Sequence, residues 1–545
     1  MNWPVYRRSH GRVMMKSETG AHWQEVKEIL VDCDGDALVV KIDQRGLNGA
    51  RGSVCNTGMR SARWLALLMV VGLALRVARL GEISFWLDEG YTLAAMRQPV
   101  LGAKHFYPLN PNAQEPIHPS FYYALLRGWC AASESEFMLR LFSALVGVLT
   151  IGIACGVGRR LGGDAVGMAA AVIIAVNPFH VYYSREARMY ALLMLLVLMQ
   201  MYALHVALTS GRARWFAGYV ALTWMALNSQ FIGGEALAAG MLYCLLRWSA
   251  ASPATRRAVA LSHLSLLIIC APAFGTILFT GGRSRQFPLQ FSADAAMWGP
   301  LGMLTGFTFN SAKLALPEPA TFLAPLGTLL VFVFIVRGLT ATCWTREVRQ
   351  LLVCYGLMTF AGSWFVATFT PFVEPKNWSP LFPVYLLLMA AGMVSLAQRF
   401  WPVGVRLSIA LLILMSAGLL PILKCDYRPD WRGAFTHIRD QWRDGDFIVT
   451  PPFYHAVLDG YFREAPMCEA QGTELLDRQR RVVTLEELQR KRRVWAVYRH
   501  PAPGRGDDHP NSSLRQKLLP LARHRVEQRD FFQLRVYRYE FSHRN

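Results

Sequence analysis

Five strings along the 545-residue chain bring together side chains that could move a proton or grip an anion. In FWLDEGYT, residues 85–92, Asp88 and Glu89 are adjacent acids between Trp86 and Tyr91. A carboxylate at a low-dielectric boundary has its pKa pushed upward and becomes a better general base. Asp88 could equally cap a helix N-terminus, and the pair could hold a divalent cation, although two carboxylates supply few of the oxygens such an ion takes. In EPIHPSFYYALL, residues 115–126, Pro116 and Pro119 stiffen the backbone around His118, which suits that imidazole to a substrate contact or to a structural one; Tyr122 follows closely. In NPFHVYYSREARMYALL, residues 177–193, Tyr183, Arg185, Glu186 and Arg188 crowd one turn. Guanidinium groups there could grip a phosphate in bidentate fashion or snorkel along a membrane surface. EPKNWSPLFP, residues 374–383, adds Glu374 and Lys376, and DYRPDWRGAFTHI, residues 426–438, adds further charge.

The elements that must position these strings are apolar blocks. Apolar residues make up 53% of the chain and charged ones 17%, against about 25% charge in an ordinary soluble domain. That balance excludes a disordered chain and a small disulfide-stapled one. The net charge of +20 lies in short clusters between the blocks and in the C-terminal tail, a pattern of membrane topology and not of nucleic-acid binding. The cysteines show no metal spacing; a Cys425–Cys468 disulfide is the one pairing left open.

A helix crosses a bilayer with about 20 apolar residues. Eleven blocks qualify or nearly do, near 62–80, 138–158, 165–183, 190–209, 215–232, 233–248, 259–280, 321–337, 350–371, 380–397 and 407–424. With the N-terminus inside, every cytoplasmic connection is short and basic: Arg159/Arg160, Arg212/Arg214, Arg247/Arg256/Arg257, Arg337/Arg346/Arg349 and Arg399/Arg406. All five chemistry-bearing strings then fall on the other side. Residues 1–60 have no apolar run long enough to span and read as a disordered extension or as a stretch ahead of the true start at Met59. Residues 61–424 form the membrane domain. Residues 425–545 read as a small α/β domain, with strand-like runs at Phe447–Thr450, Val494–Tyr498 and Leu534–Phe541 and helix-like runs at Ala434–Trp442 and Ser513–Arg523.

The order WLDE-x-Y, HP-x-x-YY, NPFH-x-YYS-x-EARMYAL and DWRGA resembles the GT-C membrane glycosyltransferases. It is most similar to the family 39-like branch, related to protein O-mannosyltransferases and lipid A aminoarabinose transferases. The resemblance covers about residues 62–450, and SREARMYALL is its most specific string. It departs at 374–383, where related chains usually have Arg-Tyr in place of Lys376-Asn377. The resemblance implies a mainly α polytopic fold of the GT-C type, with about eleven transmembrane helices and a small C-terminal extracytoplasmic α/β domain, in a bacterial inner membrane. It implies a hexosyl or pentosyl transferase that moves a sugar from a polyprenyl-phosphate donor to a lipid, polysaccharide or protein acceptor, with inversion. Asp88 is then the general base and Glu89 its support. Arg185, Arg188 and Lys376 bind the donor phosphate and His118 the phosphate or the sugar, with Tyr91, Tyr122, Tyr183, Glu186 and Glu374 as further site residues. It fixes no cofactor, and a divalent cation at Asp88 and Glu89 stays open. Two other readings are a lipid-linked sugar flippase and a non-catalytic anchoring subunit. Relay carboxylates of transporters lie mid-span, whereas these lie in outer loops.

Overall fold

The computed structural model describes residues 6–9, 12–16, 23–26, 51–97, 121–281, 291–309, 320–369, 374–424, 428–451, 454–463, 465–471, 474–479, 481–499 and 525–541. The chain divides into two compact units, Met1–Trp64 and Leu65–Asn545. In the first, the stretch read from sequence as an extension carries three paired strands, β1 (Tyr6–Ser9), β2 (Arg12–Lys16) and β3 (Trp23–Val26), in an antiparallel sheet of that order.

The second unit is helical. In chain order its helices are α1 (Arg51–Val77, which begins in the first unit), α2 (Leu87–Arg97), α3 (Phe121–Trp129), α4 (Glu136–Gly162), α5 (Asp164–Val176), α6 (Pro178–Ser184), α7 (Tyr190–Ser210), α8 (Ala213–Ser229), α9 (Gly234–Arg247), α10 (Pro253–Gly281), α11 (Ala293–Phe309), α12 (Ala320–Leu339) and α13 (Arg346–Phe369). A 3-10 helix, Pro375–Leu381, leads into α14 (Phe382–Arg399), followed by α15 (Val403–Ala417) and α16 (Leu419–Lys424). Among the described residues seven helices are long and apolar enough to cross a bilayer, or eight if the bent pair α5–α6 counts as one. The expected count of eleven is not confirmed among the described residues. The blocks at 215–232 and 233–248 form α8 with 17 residues, at the lower edge of crossing length, and α9 with 14, short of it, with a 3-10 turn at Phe231–Gly233 between them.

The bend of 60° between α5 and α6 follows from Asn177-Pro178. A proline in that place cannot donate to the preceding turn but suits a helix start, and the Asn177 side chain accepts from the His180 N–H at 2.9 Å as an N-cap. Two arginines then cap carbonyls reciprocally. Arg76 of α1 donates to Ile174 O (2.9 Å) and Ala175 O (3.3 Å) in the last turn of α5. Arg185 Nη1 donates to Leu75 O, Arg76 O and Ala78 O at 2.7–3.2 Å, at the end of α1. Each guanidinium satisfies helix-end acceptors that have no partner within their own helix.

Helix α11 was not expected from the sequence, where Pro300 and three glycines (Gly299, Gly302 and Gly306) interrupt the apolar run. It does not run through the bundle. Ser292 N–H, just before it, donates to Thr368 O at the end of α13, and Phe307 O near its far end accepts from Asn177 at 2.8 Å. Both partners stand at the same end of the bundle as the 3-10 helix, so α11 lies across that end, with Met297, Trp298 and Leu301 facing outward.

The tail begins with α17 (Trp431–Asp440), capped by Asp430, and continues through β4 (Phe447–Thr450), α18 (His455–Tyr461), β5 (Met467–Gln471), β6 (Glu474–Asp477), α19 (Leu485–Gln489), β7 (Arg493–Arg499), β8 (Arg525–Phe531) and β9 (Leu534–Glu540). The six strands form one sheet in the order β6-β5-β4-β7-β9-β8, parallel across β5-β4-β7 and antiparallel elsewhere. Alternate residues serve two cores, as the period of a strand requires. Ile448, Trp495, Val497 and Val536 join the core of the helical bundle, whereas Phe447, Val449, Val494 and Ala496 pack a second cluster on the other face. Three of these strands match the sequence reading; β5, β6 and β8 were unforeseen. The expected helix at 513–523 and Cys425 lie outside the described residues, and Cys468 is a buried free thiol.

Candidate active site

Asp88 and Glu89 occupy the first turn of α2. Consecutive helical residues project about 100° apart, so the two neighbours face different surroundings. Glu89 points inward and is fully buried. Arg140, near the start of α4, grips it with two hydrogen bonds (Nε to Oε1, 2.9 Å; Nη2 to Oε2, 2.7 Å) and gives its remaining donors to Leu80 O, Ile83 O and Ser84 O. All five guanidinium N–H groups are thereby used. Arg428 Nη1 adds a third bond to Glu89 at 2.8 Å, and the Ala187 N–H a fourth at 2.9 Å. Arg428 Nη2 continues to Glu186 Oε1 at 2.7 Å. Burial alone would raise the Glu89 pKa, but Arg140 and Arg428 hold it down at about 2, below the ordinary 4.5. Two acids and two arginines thus form a closed, charge-balanced frame linking α2, α4, the 185–188 turn and the tail.

Asp88 points the other way and keeps 21% of its side chain exposed. Its Oδ2 accepts from Lys376 Nζ at 3.0 Å, and Lys376 also meets Glu374 Oε2 at 2.8 Å. Arg188 approaches from the other flank: its Nε is 3.9 Å from Asp88 Oδ2, and its Nη1 donates to Asp88 O at 3.1 Å, to Thr92 Oγ1 at 3.2 Å and to Tyr123 Oη at 3.4 Å. Lys376 Nζ lies over the rings of Trp86 (5.5 Å) and Tyr190 (5.9 Å), and Arg428 lies over Trp86 at 5.3 Å. A largely buried carboxylate with one edge open, flanked by two cations and walled by aromatic faces, is suited to acid–base work beside a bound anion.

Of the residues singled out from sequence, Asp88, Arg188, Glu374 and Lys376 converge on this cluster, and Glu89 and Glu186 stand in the frame behind it. Arg185 does not face the cluster with the donors described; its Nη1 caps α1. Tyr122 bonds Ser143 at 3.0 Å in the core, and it is the neighbouring Tyr123 that reaches Arg188. Tyr183 is packed among Phe179, Tyr182 and Tyr190, and Tyr91 meets the His455 ring edge-on at 5.7 Å. His118 lies outside the described residues. Among the described residues no three His, Cys, Asp or Glu side chains converge as a metal ligand set. A cation shared by Asp88 and Glu89 would have to bridge carboxylates that face apart and that Lys376 and Arg428 already pair. Sequence reasoning missed Arg140, Arg428, Tyr123, Trp86 and Tyr190. Arg140 carried a signal: a charge at the outer end of the expected span 138–158, where the positive-inside rule disfavours it.

The tail closes over this end of the bundle. Arg432 pairs with Glu136 at 2.8 Å and donates to Gly81 O at 2.7 Å. Tyr461 Oη accepts from the Phe85 N–H at 2.6 Å and donates to Glu136 at 2.7 Å. A Cβ on Gly90 would stand 2.8 Å from the Val457 N, so α2 and α18 touch backbone to backbone.

Comparison with known proteins agrees with the geometry. Residues 116–275 match the dolichyl-phosphate-mannose-protein mannosyltransferase family. The fold is that of ArnT from Cupriavidus metallidurans in the apo state, with a TM-score of 0.58 and 12% identity over 89% of this chain and 98% of that one. The same protein bound to undecaprenyl phosphate gives a TM-score of 0.56 with 14% identity, over 88% and 98% of the two chains. The chain has a GT-C glycosyltransferase fold, as the resemblance implied. Residues 3–62 separately match the phosphoribosyl-AMP cyclohydrolase family. They are 47% identical over 53 residues to the cyclohydrolase of Methanothermobacter thermautotrophicus and 43% over 63 residues to that of Syntrophotalea carbinolica, and span 34% and 46% of those enzymes. The chain thus spans less than half the length of these curated relatives.

Proposed function

We propose that the chain transfers a sugar from a polyprenyl-phosphate donor to a hydroxyl acceptor on the outer side of a bacterial inner membrane, with Asp88 as general base. The observation that carries this reading is the Asp88–Lys376–Glu374–Arg188 cluster at the aromatic-walled end of an apolar bundle. A lipid donor confined to the bilayer brings its phosphate to that level. Lys376 and Arg188 then meet it as a point charge and a fork of donors. Asp88 Oδ2 takes the proton of the acceptor hydroxyl. The freed oxygen attacks the anomeric carbon from the face opposite the phosphate, the bond from that carbon to the phosphate oxygen breaks, and the configuration inverts. The departing polyprenyl phosphate gains negative charge, which Lys376 and Arg188 stabilise in a site of low dielectric. His118 is a further candidate to bind the donor, at its phosphate or its sugar.

ArnT, which shares the fold, binds undecaprenyl phosphate, and this supports a lipid-linked donor. The test is release of free polyprenyl phosphate from radiolabelled polyprenyl-phosphate sugars by the protein in detergent. Release with one sugar identifies the donor. Movement of the labelled lipid between leaflets with no new glycosidic bond would replace this reading with the flippase.

A further inference from the structure

Glu235, in the first turn of α9, is a buried acid that the reaction scheme does not use. Its Oε2 lies 2.8 Å from Ser363 Oγ on α13. The same Ser363 hydroxyl is 3.1 Å from Asn377 O in the 3-10 helix. Glu235 Oε1 is closed off from solvent and has no hydrogen-bond partner among the described residues, and no described Lys or Arg side chain forms an ion pair with it. Gly362 makes room for the carboxyl, because a Cβ there would stand 2.8 Å from Glu235 Cγ and 3.0 Å from Oε1.

Proton counting decides how this group is arranged. The Ser363 hydroxyl carries one proton and has two oxygen neighbours, and the Asn377 carbonyl can only accept. If Glu235 were ionised, its Oε2 would share the single Ser363 proton with Asn377 O while its Oε1 stayed without a hydrogen bond among the described residues. An enclosed carboxylate without a cation is costly enough that it takes up a proton instead. With the proton on Oε2, the chain runs Glu235 to Ser363 to Asn377 O and every donor is placed.

We infer that Glu235 is a protonated carboxyl that, through Ser363, anchors the 3-10 helix and so places Lys376 for the donor phosphate. Lys376 is the residue before Asn377 in that helix, and its own carbonyl accepts from Ser379 Oγ. Glu235 is a positioning residue, and the inference rests on Lys376 being a phosphate ligand.

The test measures binding of undecaprenyl phosphate to the full chain in detergent, for wild type, Glu235→Ala, Glu235→Gln, Ser363→Ala and Lys376→Ala. Glutamine can donate to Ser363 as the acid does but cannot ionise. Expected are a loss of about tenfold in Glu235→Ala and Ser363→Ala, near-wild-type binding in Glu235→Gln, and unchanged turnover at saturating donor in Glu235→Gln. Infrared spectra should show the carbonyl stretch of a protonated carboxyl in wild type and lose it in Glu235→Gln. Wild-type binding by Glu235→Ala and Ser363→Ala, with loss in Lys376→Ala, overturns the anchor while sparing the phosphate assignment. Wild-type binding by Lys376→Ala overturns the phosphate assignment itself. A Glu235→Gln as weak as Glu235→Ala, or an infrared band unchanged by it, overturns the protonated state.

Discussion

Lys376 and Asp88 are 288 residues apart in sequence and 3.0 Å apart in space, with Glu374 on the far side of the same ammonium. One cation thus serves two carboxylates, one of them the proposed base. A phosphate that draws Lys376 toward itself leaves Asp88 less compensated and more basic. Donor binding and activation of the base are then coupled through a single side chain.

Replacing Asp88 by Asn keeps the shape of the side chain and removes its ability to take a proton. Turnover should fall by about 10²–10⁴-fold, the usual worth of a general base, with the melting temperature and undecaprenyl phosphate binding close to wild type. Turnover within threefold of wild type in a folded Asp88→Asn would sink the assignment.

Arg428 is the tail's contribution to the buried frame. Its removal leaves Glu89 with one cation fewer and Glu186 without the partner it has at 2.7 Å. Breaking a buried pair from one side costs about 3–5 kcal/mol. Arg428→Ala should therefore lower the thermal midpoint markedly and make the tail an early target of limited proteolysis, whereas Arg439→Ala on the exposed rim should do neither.

Glu89 supplies a pH signature. Its folded pKa of about 2 lies below the ordinary 4.5, so as pH falls the unfolded chain takes the proton first. The stabilisation is complete above 4.5 and is lost as pH drops toward 2, amounting to about 3 kcal/mol. Glu89→Gln should melt well below wild type at neutral pH, and the gap should close across that acid window. A gap of constant size from pH 7 to pH 2 would contradict the pairing.

The N-terminal segment should be dispensable for transfer. A chain begun at Met59 lacks nearly all of the cyclohydrolase-like stretch 3–62 and retains every residue of the cluster. Its release of polyprenyl phosphate should match that of the full chain, and a loss beyond twofold would tie the segment to the reaction.

Much of the site was legible because unlike charges at membrane boundaries need a reason. Asp88, Arg188, Glu374 and Lys376 each stood out as polar residues at turns between apolar blocks. The pairing of roles was harder to read. Asp88 and Glu89 look alike in sequence, and only the rotation of α2 sends one to the cations of the cluster and the other into the frame. Tyr122 and Tyr123 are adjacent in the same way, and the register of α3 favours the second. Arg185 and Arg188 share a turn, but their spacing alone does not reveal that Arg185 serves the carbonyls of α1. The fold class followed from the apolar blocks, while the span count did not. Glycine and proline hide α11, and the short α8 and α9 were joined to loop residues to reach crossing length.

The bonds from Arg432 and Tyr461 to residues 81–85 and Glu136, with the backbone contact at Gly90, bear on how such an enzyme can be rebuilt. Loop and roof behave as one transplantable part. A foreign tail grafted after residue 424 would arrive without its matching latch and would hang loose above Asp88. A graft that carries residues 80–97 together with 428–541 keeps both halves of the latch, so a transplanted tail should seat only when the two segments travel as a pair.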